Sequence, residues 1–410
     1  MGNTPIRLLV VGIIALSICA AATPAQELQA GAIVDRVECA ADASQTYALY
    51  LPSAYSPDRQ WSLLLAFHPA ARGRAMVEKY QAAAEQYGYI VAASNNSRNG
   101  PYAASIAAAQ AMVADVSRRF SINPQRVYLT GMSGGARVAT GIALGNKSNI
   151  AGVIASSAGY PDAKPRSNIA FAVFGTAGTE DFNYLEMRLL DRKLTSPHFL
   201  AVFRGGHTLP PDDVAFDALE WMELQAMQSG RRSRDGALAG RLLEKQRARI
   251  ASATDSHEIV YLLNSVVADF KGLLDVSAEA RRLEEMSLQP EVKRALKREQ
   301  DADNAEGRML GDIFDLEARL AGDNRDVALM GLRDRLTKLA RKAAEEAETP
   351  ERSQARRVLR SITAGASGRV QDGEYLKILE GFRQPGRESP LSGRSEGSRS
   401  SAGDLAARRV

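Results

Sequence analysis

An α/β fold with a mostly parallel sheet, followed by an all-α C-terminal region, is what this sequence predicts, on three observations. Between about Thr46 and Gly230, short β-branched and aromatic runs alternate with amphipathic or alanine-rich stretches, the pattern of strands joined by helical crossovers. A strand, a sharp glycine-rich turn and a helix meet at Gly131-Met132-Ser133-Gly134-Gly135. Beyond Gly230 the strand signals stop, and apolar residues recur at three- and four-residue spacing on an Ala, Leu, Glu, Lys and Arg background.

In chain order, the 410 residues leave room for two or three domains, and the net charge of +4 is spread too evenly to imply a nucleic-acid partner. Residues 1–25 read as a cleavable secretory signal. Arg7 supplies the positive end, Leu8 to Ala22 is apolar or small, and the run is too short for a stable membrane span. Leu16-Ser17-Ile18-Cys19 offers the alternative of a lipoprotein anchor at Cys19, although Ile18 is larger than the residue such a box wants. Either way the mature chain is expected to be secreted or periplasmic. Once the signal is cut, Cys39 stands without a partner for an internal disulfide or a cysteine metal cluster, as a small buried residue or an inert surface thiol.

Residues 26–230 form the expected α/β domain. Its strands are placed at Tyr47–Leu51, Ser62–Phe67, Tyr89–Ala93, Arg126–Thr130, Ile150–Ser156, Ile169–Phe174 and Phe199–Phe203. Helices are placed at Ala75–Tyr87, Ala103–Phe120, Gly135–Leu144, Tyr184–Leu194 and Asp213–Gln228. A charged linker from Ser229 to Gly236 leads to a helical domain, 231–383, with starts marked at Asp255/Ser256, Ser277, Pro290, Asn324 and Thr349-Pro350. A small bundle or a stack of helix hairpins fits these lengths. Residues 384–410 are rich in Ser, Gly and Arg and nearly free of large apolar side chains, the composition of a disordered tail.

The chemistry is concentrated at Ser133. Glycines flanking a serine between strand and helix permit the strained turn that lifts its hydroxyl above a sheet, the nucleophile elbow of α/β-hydrolases; the G-x-G-x-x-G spacing of a dinucleotide site is missing. Such a serine needs a histidine base and a carboxylate, following it in the order acid, then histidine. Of the 4 histidines, His68 precedes the serine, His257 lies in the helical region and His198 sits at the amino end of a strand. His207, just beyond the carboxyl end of that strand, is the candidate base. In the loop Gly175 to Phe182, Asp181 is the candidate acid and the adjacent Glu180 the fallback, while Asp191 reads as a helix surface charge. Two N–H groups are needed for the oxyanion. Gly134, opening the elbow helix, is one; the other falls on Ala70, because Pro69 has no N–H. His68 is expected to brace that loop. Asn95 to Gly100, ending a strand on the catalytic edge, reads equally as pocket lining or as a polar turn.

From Trp61 to about Trp221 the chain resembles secreted serine esterases of the poly(3-hydroxybutyrate) depolymerase and feruloyl esterase-like group of the α/β-hydrolase superfamily. The resemblance is carried by Leu65-Ala66-Phe67-His68-Pro69, Tyr128 to Ala136, and Phe203-Arg204-Gly205-Gly206-His207 leading to Leu219-Glu220-Trp221. It implies a three-layer α/β-hydrolase fold, with Ser133 as nucleophile, Asp181 as acid, His207 as base, and Ala70 with Gly134 as oxyanion hole. Pro69 departs from the glycine usual in that family. An ester substrate, small or polymeric, is implied, with no metal or organic cofactor. The helical region lies outside the resemblance and is available for a protein partner. A prolyl-oligopeptidase-like peptidase and a catalytically degenerate binding scaffold are the alternatives.

Overall fold

The computed structural model describes residues 28–145, 150–162 and 166–382. The expected signal segment with Cys19, and the tail 384–410, lie outside the described residues. The strands are β1 (Ile33–Cys39), β2 (Asp42–Tyr50), β3 (Trp61–Phe67), β4 (Tyr89–Ser94), β5 (Ile122–Met132), β6 (Ile150–Ser156), β7 (Ala172–Gly178) and β8 (His198–Phe203). They form one 8-stranded sheet in the order β1-β2-β4-β3-β5-β6-β7-β8. β2 runs antiparallel to β4 and β1 to β2; all other pairs are parallel. This is the α/β-hydrolase fold.

Alternating strand side chains serve two cores, as the pleat requires. Leu64, Ala66, Val91, Tyr128 and Ile154 face α1 (Gly73–Tyr87) and α5 (Asp212–Gln228). Leu63, Leu65, Phe67, Leu129 and Val153 face α2 (Tyr102–Arg119), α3 (Gly134–Gly145) and α4 (Tyr184–Lys193). The fold is therefore three-layered, with the carboxyl ends of β3 and β5–β8 on one edge. Cys39 is buried in the second core, its thiol pushed up to about 11 by burial and by the charge of Asp115.

Several strands differ from expectation: β2 and β5 start earlier than placed, at Asp42 and Ile122. β1 has no counterpart in the sequence reading, because Asp35, Arg36 and Glu38 break its apolar pattern; it is an edge strand, where charges face water. The strand expected at 169–174 lies three residues further on, at Ala172–Gly178. Its Gly175-Thr176-Ala177-Gly178 end reads as a loop by composition, but Gly175 leaves space for Met187 and Leu200 to pack against the backbone.

The helical region starts one helix earlier than its sequence markers. α6 (Gly236–Ser252) begins inside the expected linker, where Asp235 accepts the N–H of Leu238 as an N-cap. It is followed by α7 (Ser256–Phe270), α8 (Ser277–Leu288), α9 (Pro290–Arg319), α10 (Arg325–Ala343), α11 (Pro350–Thr363), α12 (Ala366–Arg369) and α13 (Gly373–Glu380). The starts from α7 to α11 fall where the capping signals put them.

The boundary expected at 230 does not divide two cores. Leu238, Leu242, Leu262, Leu263, Val266 and Phe270 join the same apolar cluster as Phe174, Phe199 and Trp221. Tyr261 of α7 also caps the open sheet edge: its hydroxyl accepts the N–H of Leu200 in β8 at 2.7 Å and donates to Asp191 at 2.9 Å. An edge N–H left facing apolar cover would be costly, and this contact removes the problem. A separate cluster, around Leu332, Leu336, Val358, Ile362 and Tyr375, belongs to α9–α13.

A chain ending at Arg232 is therefore expected to aggregate. It loses the cover over Phe199, Trp221 and Leu224, each worth about 1.5–3 kcal/mol of burial, against a total stability of about 5–15 kcal/mol. Size-exclusion chromatography and thermal unfolding check this; a monodisperse, cooperatively unfolding 28–232 fragment would show α6–α8 to be dispensable.

Candidate active site

The site is assembled at the carboxyl edge of the sheet from the ends of β5, β7 and β8. At the end of β5, Ser133 is held at φ +52°, a left-handed conformation that costs a non-glycine residue about 1–2 kcal/mol. Its neighbours explain how the turn persists. A Cβ on Gly135 would stand 2.2 Å from the Phe67 carbonyl oxygen, and one on Gly131 would stand 2.3 Å from the backbone of Gly135. Only glycines let the start of α3 cross so close to β3 and β5. The Ser133 N–H donates to the Ser156 carbonyl at 2.8 Å, fixing the elbow to β6.

His207 and Asp181 arrive from loops after β8 and β7. His207 Nε2 lies 2.9 Å from Ser133 Oγ, and Nδ1 lies 2.8 Å from Asp181 Oδ1. With Nδ1 donating to the carboxylate, Nε2 is left as the acceptor for the serine proton. Asp181 is fully buried, and its Oδ1 also accepts the Asn183 N–H at 2.8 Å. Phe182 stacks on the imidazole with ring centres 3.9 Å apart, and the Asn183 side chain donates to the Ser157 carbonyl at 2.7 Å. The ring is thus held along its hydrogen bonds and across its face. Neither Phe182 nor Asn183 was singled out from sequence, although both sit within two residues of the acid.

Glu180, the alternative acid, points away from His207. Its carboxylate meets Arg356 at 2.5 Å and Arg360 at 2.9 Å, both on α11. Burial raises its pKa, but the two guanidinium groups outweigh burial and hold the carboxyl below its usual range. Asp191 lies on α4 as expected, but it is not a surface charge. It is largely buried against Tyr261, and burial raises its pKa.

The oxyanion residues are treated unequally. Gly134 opens α3, so its N–H is among the donors that no helical carbonyl takes up. Ala70, expected as the second donor, gives its N–H to Nδ1 of His68 at 3.0 Å, which corrects the sequence expectation that this group faces Ser133. Pro69 shapes the cause. The segment closes as a turn in which the Ala71 N–H donates to the His68 carbonyl at 3.1 Å, with Ala71 at φ +55°. His68 is buried, and burial with the nearby Arg72 lowers its pKa to about 4, so its ring stays neutral and accepts. It braces the loop, as its position suggests. The 95–100 segment is held as a polar turn. Asn96 ties the turn to β2 through Thr46 and Ser44, whereas Asn99 lays its side chain against Gly134, with Oδ1 1.9 Å from where a Cβ would stand.

No protein-family model matches this chain, and no curated protein does. Solved structures of similar fold include a thermostable esterase, 17% identical over 45% of this chain and 59% of that one, with a TM-score of 0.34. A mutant of the feruloyl esterase module from Clostridium thermocellum, complexed with sinapinate, is 14% identical over 47% of this chain and 86% of that one, with a TM-score of 0.38. Fluorophosphonate-binding serine hydrolase F from Staphylococcus aureus is 15% identical over 47% and 98%, with a TM-score of 0.39.

The two carboxylates are separable by mutation. Asp181→Asn is expected to lower kcat by about 10^4-fold, because the histidine loses the group that fixes its tautomer. Glu180→Gln is expected to cost far less than Asp181→Asn, since its carboxylate meets Arg356 and Arg360 on α11 and not the histidine. Steady-state kinetics on both variants decide, and reversed magnitudes would transfer the role to Glu180.

Proposed function

We propose that the protein is a secreted or periplasmic serine hydrolase of the carboxylesterase type. The observation that carries this reading is the single imidazole of His207, within hydrogen-bond distance of both Ser133 Oγ and Asp181 Oδ1. Ser133 Oγ attacks the ester carbonyl carbon while His207 Nε2 takes its proton. Asp181 stabilises the resulting imidazolium through the Nδ1–H bond. The Gly134 N–H, at the amino end of α3, meets the developing oxyanion. Collapse expels the alcohol with the proton from His207, leaving an acyl group on Ser133. A water then attacks that ester with His207 as base, and the carboxylic acid departs.

Export rests on the segment from Arg7 to Ala22. Among the described residues, no helix is long and apolar enough to cross a membrane. The sequence resemblance favours an ester substrate, small or polymeric. The peptidase alternative is less favoured, because every described strand belongs to the one sheet and none builds an additional β-domain.

Purified mature protein is expected to hydrolyse short p-nitrophenyl esters and to label with a fluorophosphonate at Ser133. Ser133→Ala is expected to abolish both, and His207→Ala to lower turnover by about 10^4-fold or more. Labelling without ester hydrolysis would redirect the search to peptides. A chain that neither labels nor turns over would be the degenerate scaffold.

A further inference from the structure

We propose that α11 is a positioning element of the catalytic site: its arginines clamp the loops carrying Asp181 and His207, so the C-terminal helices set the geometry of the triad. This rests on the esterase reading and adds to it the helical region, which lies outside the sequence resemblance.

The contacts converge on the residues just before the catalytic acid. Arg357 Nη1 donates to the Thr179 carbonyl at 2.8 Å, and Arg360 Nη1 donates to the Glu180 carbonyl at 2.8 Å. Arg356 and Arg360 together hold the Glu180 carboxylate. Main-chain carbonyls are the firm handles here, because fixing the carbonyls of residues 179 and 180 fixes the peptide planes that lead into Asp181. Arg360 reaches the other loop as well. Its Nη1 lies 3.2 Å from where a Cβ of Gly206, the residue before His207, would stand. One guanidinium is thus seated between acid loop and base loop.

The clamp is itself held from behind. Arg357 is buried and paired with Glu306 of α9, with Nε–Oε contacts of 3.0 and 3.1 Å. Its guanidinium also lies 4.3 Å over the ring of Tyr184, whose N–H donates to the Asp181 carbonyl at 2.9 Å. Asp303 of α9 pairs with Arg188 and Arg192 of α4, fixing α9 to the α/β domain. A planar, always-charged fork seated among fixed partners loses little freedom on making these bonds. Without the clamp, the loop retains its ladder bonds from Thr179 to Phe203 and Glu180 to Gly205. It would stay folded, but less closely aimed.

That difference can be measured in the full-length mature chain. Arg360→Ala is expected to lower kcat on a small p-nitrophenyl ester, and the rate of Ser133 labelling by a fluorophosphonate, by about 10- to 100-fold, the cost of small misplacement of a reacting group. KM and the unfolding midpoint are expected to change little, since the Arg360 side chain is 33% exposed. Guanidinium chloride at low concentration should restore part of the rate, and sodium chloride at equal ionic strength should not. Arg360→Lys, which keeps the charge without the fork, should fall in between; should Arg360→Ala fail to fold, this variant carries the same comparison. An unchanged labelling rate in a folded Arg360→Ala or Arg360→Lys variant would overturn the clamp while leaving the esterase reading intact. Failure of the unaltered protein to label at all would overturn that reading, and the clamp with it.

Discussion

The His207 imidazole is the interaction on which the rest of this structure depends. It must reach a serine at the end of β5 and a carboxylate after β7 at once, at 2.9 and 2.8 Å, from a loop after β8. Hydrogen bonds weaken steeply with misalignment, so loops from separate strands have to be placed to a fraction of an ångström. A parallel sheet provides the first part of that placement, since its register brings these strand ends to one edge. Local devices provide the next. The glycines of the elbow admit its turn, and Phe182 and Asn183 hold the acid and base against each other.

The later helices then have two distinct jobs. α6 to α8 complete the apolar core over β7 and β8, and Tyr261 takes up the exposed edge N–H of Leu200. Their contact with the α/β domain has an apolar centre, bordered by Lys245 and Arg249 paired with Asp217 and by Asp269, which accepts from Trp221 and Gln225. α9 and α11 meet the same domain chiefly through charges: Asp303 with Arg188 and Arg192, and the α11 arginines with the loop before Asp181. Charged contacts of that kind give orientation and specificity more than stability, because desolvation offsets much of their attraction. The division suits a region that shapes a site without forming its core.

The loop after β3 shows how one residue redirects an expected role. Pro69 has no N–H to offer, and the turn it favours presents the Ala70 N–H to the neutral ring of His68. His68 is kept neutral by burial, so the contact persists across the ordinary pH range. The Ala70 N–H is therefore directed by loop conformation in this chain, whereas the Gly134 N–H is directed by the start of a helix.

The sequence by itself determined the alternation of strands and helices, the elbow at Ser133 and the starts of α7 to α11. Those signals are local: pleat and helix periodicity, glycines at a strained turn, a proline opening α9 and α11, and the caps Asp255 and Thr349. It also narrowed the base to His207 by position along the chain. Tertiary structure decided what depends on distant partners. Asp181 and Glu180 are adjacent and chemically alike, and only the packing of α11, some 180 residues later in sequence, takes Glu180 away and leaves Asp181 to the histidine. The polar stretch from Ser229 to Gly236 reads as a boundary because a linker and a capped helix start share the same composition. Whether it divides two cores depends on what its flanking helices bury, and that is set by the open edge of β8, which no local pattern records.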